Sequence, residues 1–271
     1  MYLGIDIGGT KTLVASINNE GVITQRHKFR TPKHYSEFLA ELMTALEELE
    51  HKEFIAAGVA APGKIDRERG VVIAFGNLAW TNIPIRHDLE KIIHCPVVVE
   101  NDAKLAGLSE AMLIKEFRKV LYVTVSTGIG TGLIVDQQIE PNMADSEGGQ
   151  ILLEHGGKLE PWEDFASGRA IVRRFGKKAS EIEDKKTWQI IAHNIAIGLI
   201  DQIALMQPDA IVLGGGVGSH YDKFGAFLRE YLAEYQNPLF TVPIIKQAER
   251  PALAVLYGCY DIARQRYGKA T

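Results

Sequence analysis

Asp6-Ile7-Gly8-Gly9-Thr10-Lys11 combines a carboxylate, two adjacent glycines, a hydroxyl and an ammonium in six consecutive residues. Glycines let main-chain N–H groups approach a phosphate closely, Thr10 and Lys11 add donors, and Asp6 suits a magnesium ion held through water. Taken alone, Gly8-Gly9 is equally an ordinary hairpin turn. Ser126-Thr127-Gly128-Ile129-Gly130-Thr131-Gly132 repeats this chemistry between two strand-like segments. A phosphate-cradling turn is the functional reading of Thr127, Gly128, Gly130 and Thr131, and a glycine-rich hairpin is the plain one. No Gly-Lys-Ser/Thr ending opens a helix there, so this is not a Walker loop. Gly214-Gly215-Gly216 follows an apolar strand, where the backbone either lies against adenine and ribose or simply turns the chain.

Glu100-Asn101-Asp102-Ala103 sits where the Val97 strand gives way to a helix, a position that presents side chains at a sheet edge. Asp102 is there either the N-cap of that helix or a base for an attacking hydroxyl, with Asn101 orienting the same substrate through its amide. Glu147 and Glu163 lie in a polar, glycine-broken region beside Trp162 and Phe165. Carboxylates accept paired hydrogen bonds from vicinal hydroxyls, and the two aromatics offer apolar walls; the competing reading is solvated surface glutamates.

These residues need elements to hold them. Alternation at Leu3, Ile5 and Ile7, then Leu13-Val14-Ala15 and Val22-Ile23, reads as a three-stranded meander. A helix from about Tyr35 to Glu50 and a strand at Phe54–Val59 follow. Near residue 118 the plan restarts, with strands around Leu121–Val125 and Gly132–Val135. Trp188, Ile191, Ile195, Leu199, Ile203 and Met206 carry helical spacing, Ala210–Leu213 is a strand, and helices lie near Tyr221–Tyr235 and Leu253–Arg266. Such alternation is α/β. The expected division is a first lobe over 1–117 and a second over 118–271, with the last helix crossing back.

With 46% hydrophobic and 24% charged residues, the composition is that of a globular protein, and no stretch reads as a membrane span. A formal charge of −4 lacks the basic excess of a nucleic-acid binder. Cys95 and Cys259, the two cysteines, are flanked by apolar residues and read as buried thiols. The amino terminus has no secretion signal, which makes the cytoplasm the expected compartment.

Taken in order, Asp6–Lys11, Gly58–Gly63, Asn77 with Trp80, Glu100–Ala103, Ser126–Gly132, Glu147–Gln150, Trp162–Gly168 and Leu213–Gly218 resemble the ROK family, named for repressor, open reading frame and kinase. The resemblance implies an actin-like ATPase fold, related to ribonuclease H, with two lobes and with ATP and sugar meeting in the cleft between them. It implies a sugar kinase with Asp102 as catalytic base, Asp6 near the magnesium, and Asn77, Asn101, Glu147 and Glu163 as sugar ligands. Gly8, Gly9, Thr10 and Lys11 would be the first phosphate motif, Thr127, Gly128, Gly130 and Thr131 the second, and Gly214, Gly215 and Gly216 the adenosine motif. Family members usually carry a His where this chain has Gln150, so Gln150 or His155 takes that role. Residues 151–161 hold no Cys and only His155, so no structural zinc is expected. The implied activity is glucokinase-type transfer from Mg-ATP to a hexose 6-hydroxyl. The alternatives are a kinase for fructose, mannose or an N-acyl amino sugar, polyphosphate as donor, and a non-catalytic sugar sensor. The chain starts at the first phosphate motif, without the helix-turn-helix of repressor members, and a homodimer is the assembly implied.

Overall fold

A computed structural model describes residues 1–76 and 78–268; Asn77, an expected sugar ligand, lies outside the described residues. The chain divides into two compact units, Met1–Ser109 with Leu253–Thr271, and Glu110–Ala252.

The first unit opens with β1 (Tyr2–Ile7), β2 (Lys11–Ile17) and β3 (Ile23–Arg30), an antiparallel meander in which Asp6 faces Leu13 and Thr12 faces Phe29. β3 extends well past the apolar Val22-Ile23 pair. It is an edge strand whose burial alternates half-buried and exposed, so main-chain pairing to β2 carries it where hydrophobicity does not. Then come α1 (Tyr35–Glu47), β4 (Ala57–Ala61), the short strands β5 (Lys64–Asp66), β6 (Val71–Ala74) and β7 (Thr81–Ile83), α2 (Ile85–Ile93), β8 (Val97–Asn101) and α3 (Asp102–Ala111). The main sheet runs β3-β2-β1-β4-β8, with β4 parallel to both β1 and β8. Leu3, Ile5, Ile7, Phe38, Leu42, Val59, Leu89 and Val99 form one core of this unit. Burying each such side chain contributes about 1.5–3 kcal/mol.

The second unit repeats the plan. It contains β9 (Lys119–Val125), β10 (Ile129–Val135), β11 (Gln138–Ile139), the hairpin β12 (Leu152–His155) and β13 (Lys158–Pro161), α4 (Trp162–Ala166), α5 (Gly168–Phe175), α6 (Lys185–Met206), β14 (Ala210–Gly214), the single turn α7 (Gly215–Gly218), α8 (Tyr221–Ala233) and β15 (Ile244–Gln247). Its sheet, β11-β10-β9-β14-β15, has the first sheet's order of two antiparallel pairings followed by two parallel ones. Asp184 starts α6 by accepting the Thr187 N–H at 2.7 Å, and Trp188, Ile191, Ile195, Leu199 and Ile203 bury one stripe. Contrary to the sequence expectation, this helix does have the length and apolar composition of a membrane span. Its buried stripe belongs to the second unit's core with Leu121, Val123, Leu213 and Phe224.

α9 (Ala254–Tyr267) belongs to the first unit, where Leu256, Tyr260 and Ala263 pack with Tyr2, Ala15 and Ile17. Gly58 lets α9 lie directly on β4: a Cβ there would stand 2.0 Å from the Cys259 carbonyl oxygen. The boundary between units falls within α3, earlier than the break expected at 117. Glu110 draws the end of that helix to the second unit by accepting the Glu249 and Arg250 N–H groups at 2.9 and 2.8 Å.

Candidate active site

β1, β4 and β8 are parallel, so their carboxyl ends share one edge of the sheet, where open α/β sheets place ligands. Asp6 lies level with Ala60, and Ala60 with Glu100; Asn101 and Asp102 follow one and two residues beyond. The N-cap duty weighed for Asp102 falls on Asn101 instead. Its Oδ1 accepts the N–H groups of Ala103 at 2.9 Å and Lys104 at 3.3 Å, which leaves the Asn101 amide nitrogen as its donor toward a ligand. Asp102 accepts the Ala103 N–H through Oδ1 at 2.8 Å.

Two charge effects act on this edge. Burial, and then the Asp102 charge, push the Asp6 carboxyl up to about 7 against the pull of Lys11. Burial also raises Asp102, opposed by hydrogen bonds from the main chain and by the Lys104 ammonium. Two half-buried carboxylates that repel one another make a site whose charge a divalent cation would relieve, and carboxylate oxygen is the donor type magnesium takes. Behind them, Glu100 is almost fully buried and holds the Arg67 guanidinium through both oxygens at 2.7 and 2.6 Å, while its Oε1 accepts the Asn101 N–H at 2.7 Å. Arg67 carries no motif, and sequence spacing gives no sign of this pair.

In the first glycine turn the Gly8 N–H donates to Lys11 O at 3.0 Å, and the Thr31 hydroxyl donates to Gly8 O at 2.7 Å while meeting the Thr12 hydroxyl at 3.0 Å. Buried hydroxyls thus fasten the turn from below. Gly8 and Gly9 are half-buried, and Thr10 and Lys11 are exposed.

The second glycine turn joins β9 to β10, with the Ser126 N–H on Gly128 O at 2.9 Å. The start of α5 runs alongside it, Gly168 N–H donating to Ser126 O at 2.6 Å and Arg169 N–H to Thr127 O at 3.4 Å. Gly130 is half-buried, and Thr131 is buried with its hydroxyl accepting the Gly148 N–H at 3.2 Å, so it supports the 147–150 turn from beneath. Glu147 and Gln150 are exposed on that turn. Glu163 accepts the Ile129 N–H through Oε2 at 3.1 Å and the Gln150 amide through Oε1 at 2.9 Å. Trp162 and Phe165, expected as pocket walls, are core residues. Trp162 is fully buried with its indole N–H on Asn194 O at 3.1 Å, and it fills space that a side chain at Gly198 would need.

A cleft of about 570 Å³ brings together Ser126 and Thr127 with Arg169, Lys178, Gly216 and His220. Gly215 adopts φ +80°, with no room for a Cβ against Val125 O at 2.5 Å, and Gly216 faces open space where a flat ring can approach the backbone. Gly214 packs on the Tyr122 ring. This volume falls in the range of small-molecule sites. Arg169 directly follows the Trp162–Gly168 motif and was within reach of sequence reasoning; Lys178 and His220 had no signal.

Residues 151–161 form the β12–β13 hairpin, turned by Gly156 and Gly157 at φ 62° and 81°. His155 is therefore a strand residue: its Nδ1 meets Glu160 Oε1 at 2.7 Å and its ring stacks on Phe165 with centroids 4.3 Å apart. Among the described residues, no group of three or more His, Cys, Asp or Glu side chains assembles into a metal site.

Comparison with known proteins meets this geometry. The glucokinase of Streptomyces coelicolor is 29% identical over 266 residues, covering 82% of this chain and 84% of its own. The N-acetylmannosamine kinase of Vibrio vulnificus is 29% identical over 294 residues, covering 96% and 94%. The crystal structure of a ROK family glucokinase from Streptomyces griseus in complex with glucose and AMPPNP superimposes with a TM-score of 0.82 at 26% identity, covering 97% of this chain and 99% of that one. That likeness gives the chain the actin-like fold of these kinases. The ROK family model spans residues 2–266. The family match thus takes in both five-stranded sheets, and the chain belongs to the ROK family.

Proposed function

We propose that this ROK family sugar kinase phosphorylates the 6-hydroxyl of a hexose, with Asp102 accepting the hydroxyl proton and ATP supplying the phosphoryl group. The observation that carries the reading is the Asp102 carboxyl: it is half-buried at the carboxyl end of parallel strands, relieved of capping by Asn101 and held above its ordinary proton affinity. A base with a raised pKa takes a proton from an attacking hydroxyl more readily than an exposed aspartate does.

Asn101 would orient the sugar through its amide nitrogen, with Asn77, Glu147 and Gln150 adding hydroxyl contacts. Gly8, Gly9, Thr10 and Lys11 would offer N–H, hydroxyl and ammonium donors to phosphate, and Thr127 and Gly128 would offer N–H and hydroxyl donors. The about 570 Å³ cleft lined by Gly216 and His220 suits adenine and ribose. Asp6 would hold Mg²⁺ through water, and the ion would screen the charge that spreads over the transferring phosphoryl group. The transition state of such a transfer is loose, so positioning and donors matter more than a strong base. ATP as donor favours the cytoplasm.

The sugar is the open choice. Gln150 donates and accepts like an amide, and the 29% identity to an N-acetylmannosamine kinase keeps amino sugars beside glucose. A coupled assay over glucose, mannose, fructose and N-acetyl amino sugars, with ATP and with polyphosphate, tests the proposal. Turnover of one sugar that falls about 10²–10⁴-fold in Asp102→Asn supports it; near-normal turnover in that variant removes Asp102 as the base, and silence across the panel with sugar binding retained points to a sensor.

A further inference from the structure

Glu163 sits where three features of the second unit converge. Its Oε2 accepts the Ile129 N–H at 3.1 Å and lies directly over Gly128, where a Cβ would stand 2.4 Å away. Its Oε1 accepts the Gln150 amide at 2.9 Å and takes a long contact of 3.4 Å from the Arg169 guanidinium. Arg169 lines the nucleotide-sized cleft, and its own N–H is tied to Thr127 O. One carboxylate therefore touches the glycine turn assigned to the donor phosphates, the turn assigned to the sugar, and a wall of the nucleotide cleft.

The local chain is built to keep it there. Glu163 follows Trp162, which is fully buried against α6, and Ser167 caps the start of α5 by accepting the Ala170 N–H at 3.2 Å. The carboxylate is held on a short, anchored segment with its side chain only 19% exposed. Its ionised form accepts from all of these donors at once, which a neutral amide with a single acceptor oxygen cannot do.

We infer that Glu163 is a positioning residue that couples acceptor and donor: sugar bound at Gln150 is felt, through the Glu163 carboxylate, by the Gly128–Ile129 turn and by Arg169. A sugar hydroxyl that competes for Oε1 or reorients Gln150 shifts the hydrogen bond that fixes the turn, so the affinity for nucleotide depends on whether sugar is present. The inference rests on the kinase reading above. It assigns Glu163 a role that a simple sugar contact does not have, because the coupling runs in both directions by thermodynamic necessity.

The test is calorimetric titration of the full chain with AMPPNP and Mg²⁺, with and without the sugar identified in the panel, for the native protein, Glu163→Gln and Gln150→Ala. In the native protein the sugar is expected to change the nucleotide Kd by about fivefold or more. In both variants that dependence is expected to shrink to less than about twofold, while thermal unfolding stays cooperative. Coupling kept at the native level in Glu163→Gln overturns the inference. So does a variant that loses sugar affinity with the sugar dependence of nucleotide binding intact, which would make Glu163 a sugar contact alone. A native protein that turns over sugar but shows no coupling defeats the inference and leaves the kinase reading standing, whereas a native protein that neither binds nucleotide nor turns over any sugar defeats both. Gly128→Ala provides a second route to the same contact, since its Cβ would displace Oε2; it is expected to weaken the coupling with residue 163 unchanged.

Discussion

Burial and the neighbouring Asp102 charge move the Asp6 carboxyl from an ordinary 3.8 to about 7. The folded chain thus holds this proton more tightly than the unfolded one. The associated stability is fully present below about 3.8 and is lost as pH rises through about 7. Asp102 is shifted in the same direction and adds to the slope. Without metal or nucleotide, the melting temperature is expected to fall between pH ~4 and pH ~8, and Asp6→Asn should flatten that fall and raise the neutral-pH value by roughly 2–4 °C per kcal/mol recovered. Melting curves across the range check it; an unaltered slope in Asp6→Asn would mean that the carboxyl ionises freely. Catalysis runs the other way, since the proposed base works only after losing its proton. The acid limb of kcat/KM is expected above the range of an exposed aspartate, readable from a pH–rate profile.

At the scale of elements, the β8–α3 junction depends on Asn101 capping the helix and on Glu100 gripping Arg67 from behind. Asn101→Ala should cost about 1 kcal/mol of stability in denaturant titration. Glu100→Ala should cost more, ~2–3 kcal/mol once the partial exposure of Arg67 is allowed for, because it strands a guanidinium and frees the Asn101 N–H. It should also lower kcat more than it raises the sugar KM, as Asp102 loses its fixed backbone. The junction itself was legible, since a polar cluster closing a Val-rich strand is visible in the sequence; the cap was weighed for Asp102 and falls on Asn101, since only side-chain geometry separates the two neighbours. α6 was legible from its Trp188–Ile203 stripe, and β1 and β2 from alternation. β5, β6 and β7 were not, being too short to show a period. The β12–β13 hairpin was missed although Gly156-Gly157 between Leu153 and Leu159 announces it. Glu100–Arg67, thirty-three positions apart, left no local trace.

For the whole molecule, the return of α9 to the first unit is the decisive connection. A chain ending at Ala252 should fail to fold its first unit, since Tyr2, Ala15 and Ile17 would lose their packing partners; loss of cooperative melting in that truncation is the expected result. Gly58→Ala tests the same contact more gently and should destabilise the protein by several kcal/mol, ~2–4, by forcing the main chain of α9 off β4. The order of synthesis makes this connection consequential. Translation delivers β1 first and α9 last, and at about 5–20 residues per second the interval is on the order of tens of seconds. Until it ends, the sheet that carries Asp6 lacks the helix that covers it, whereas the second unit, Glu110–Ala252, has all its segments before α9 is made. A message cut short near its end would therefore yield a chain able to build the cleft lined by Gly216 and His220 but not the sheet edge bearing Asp6.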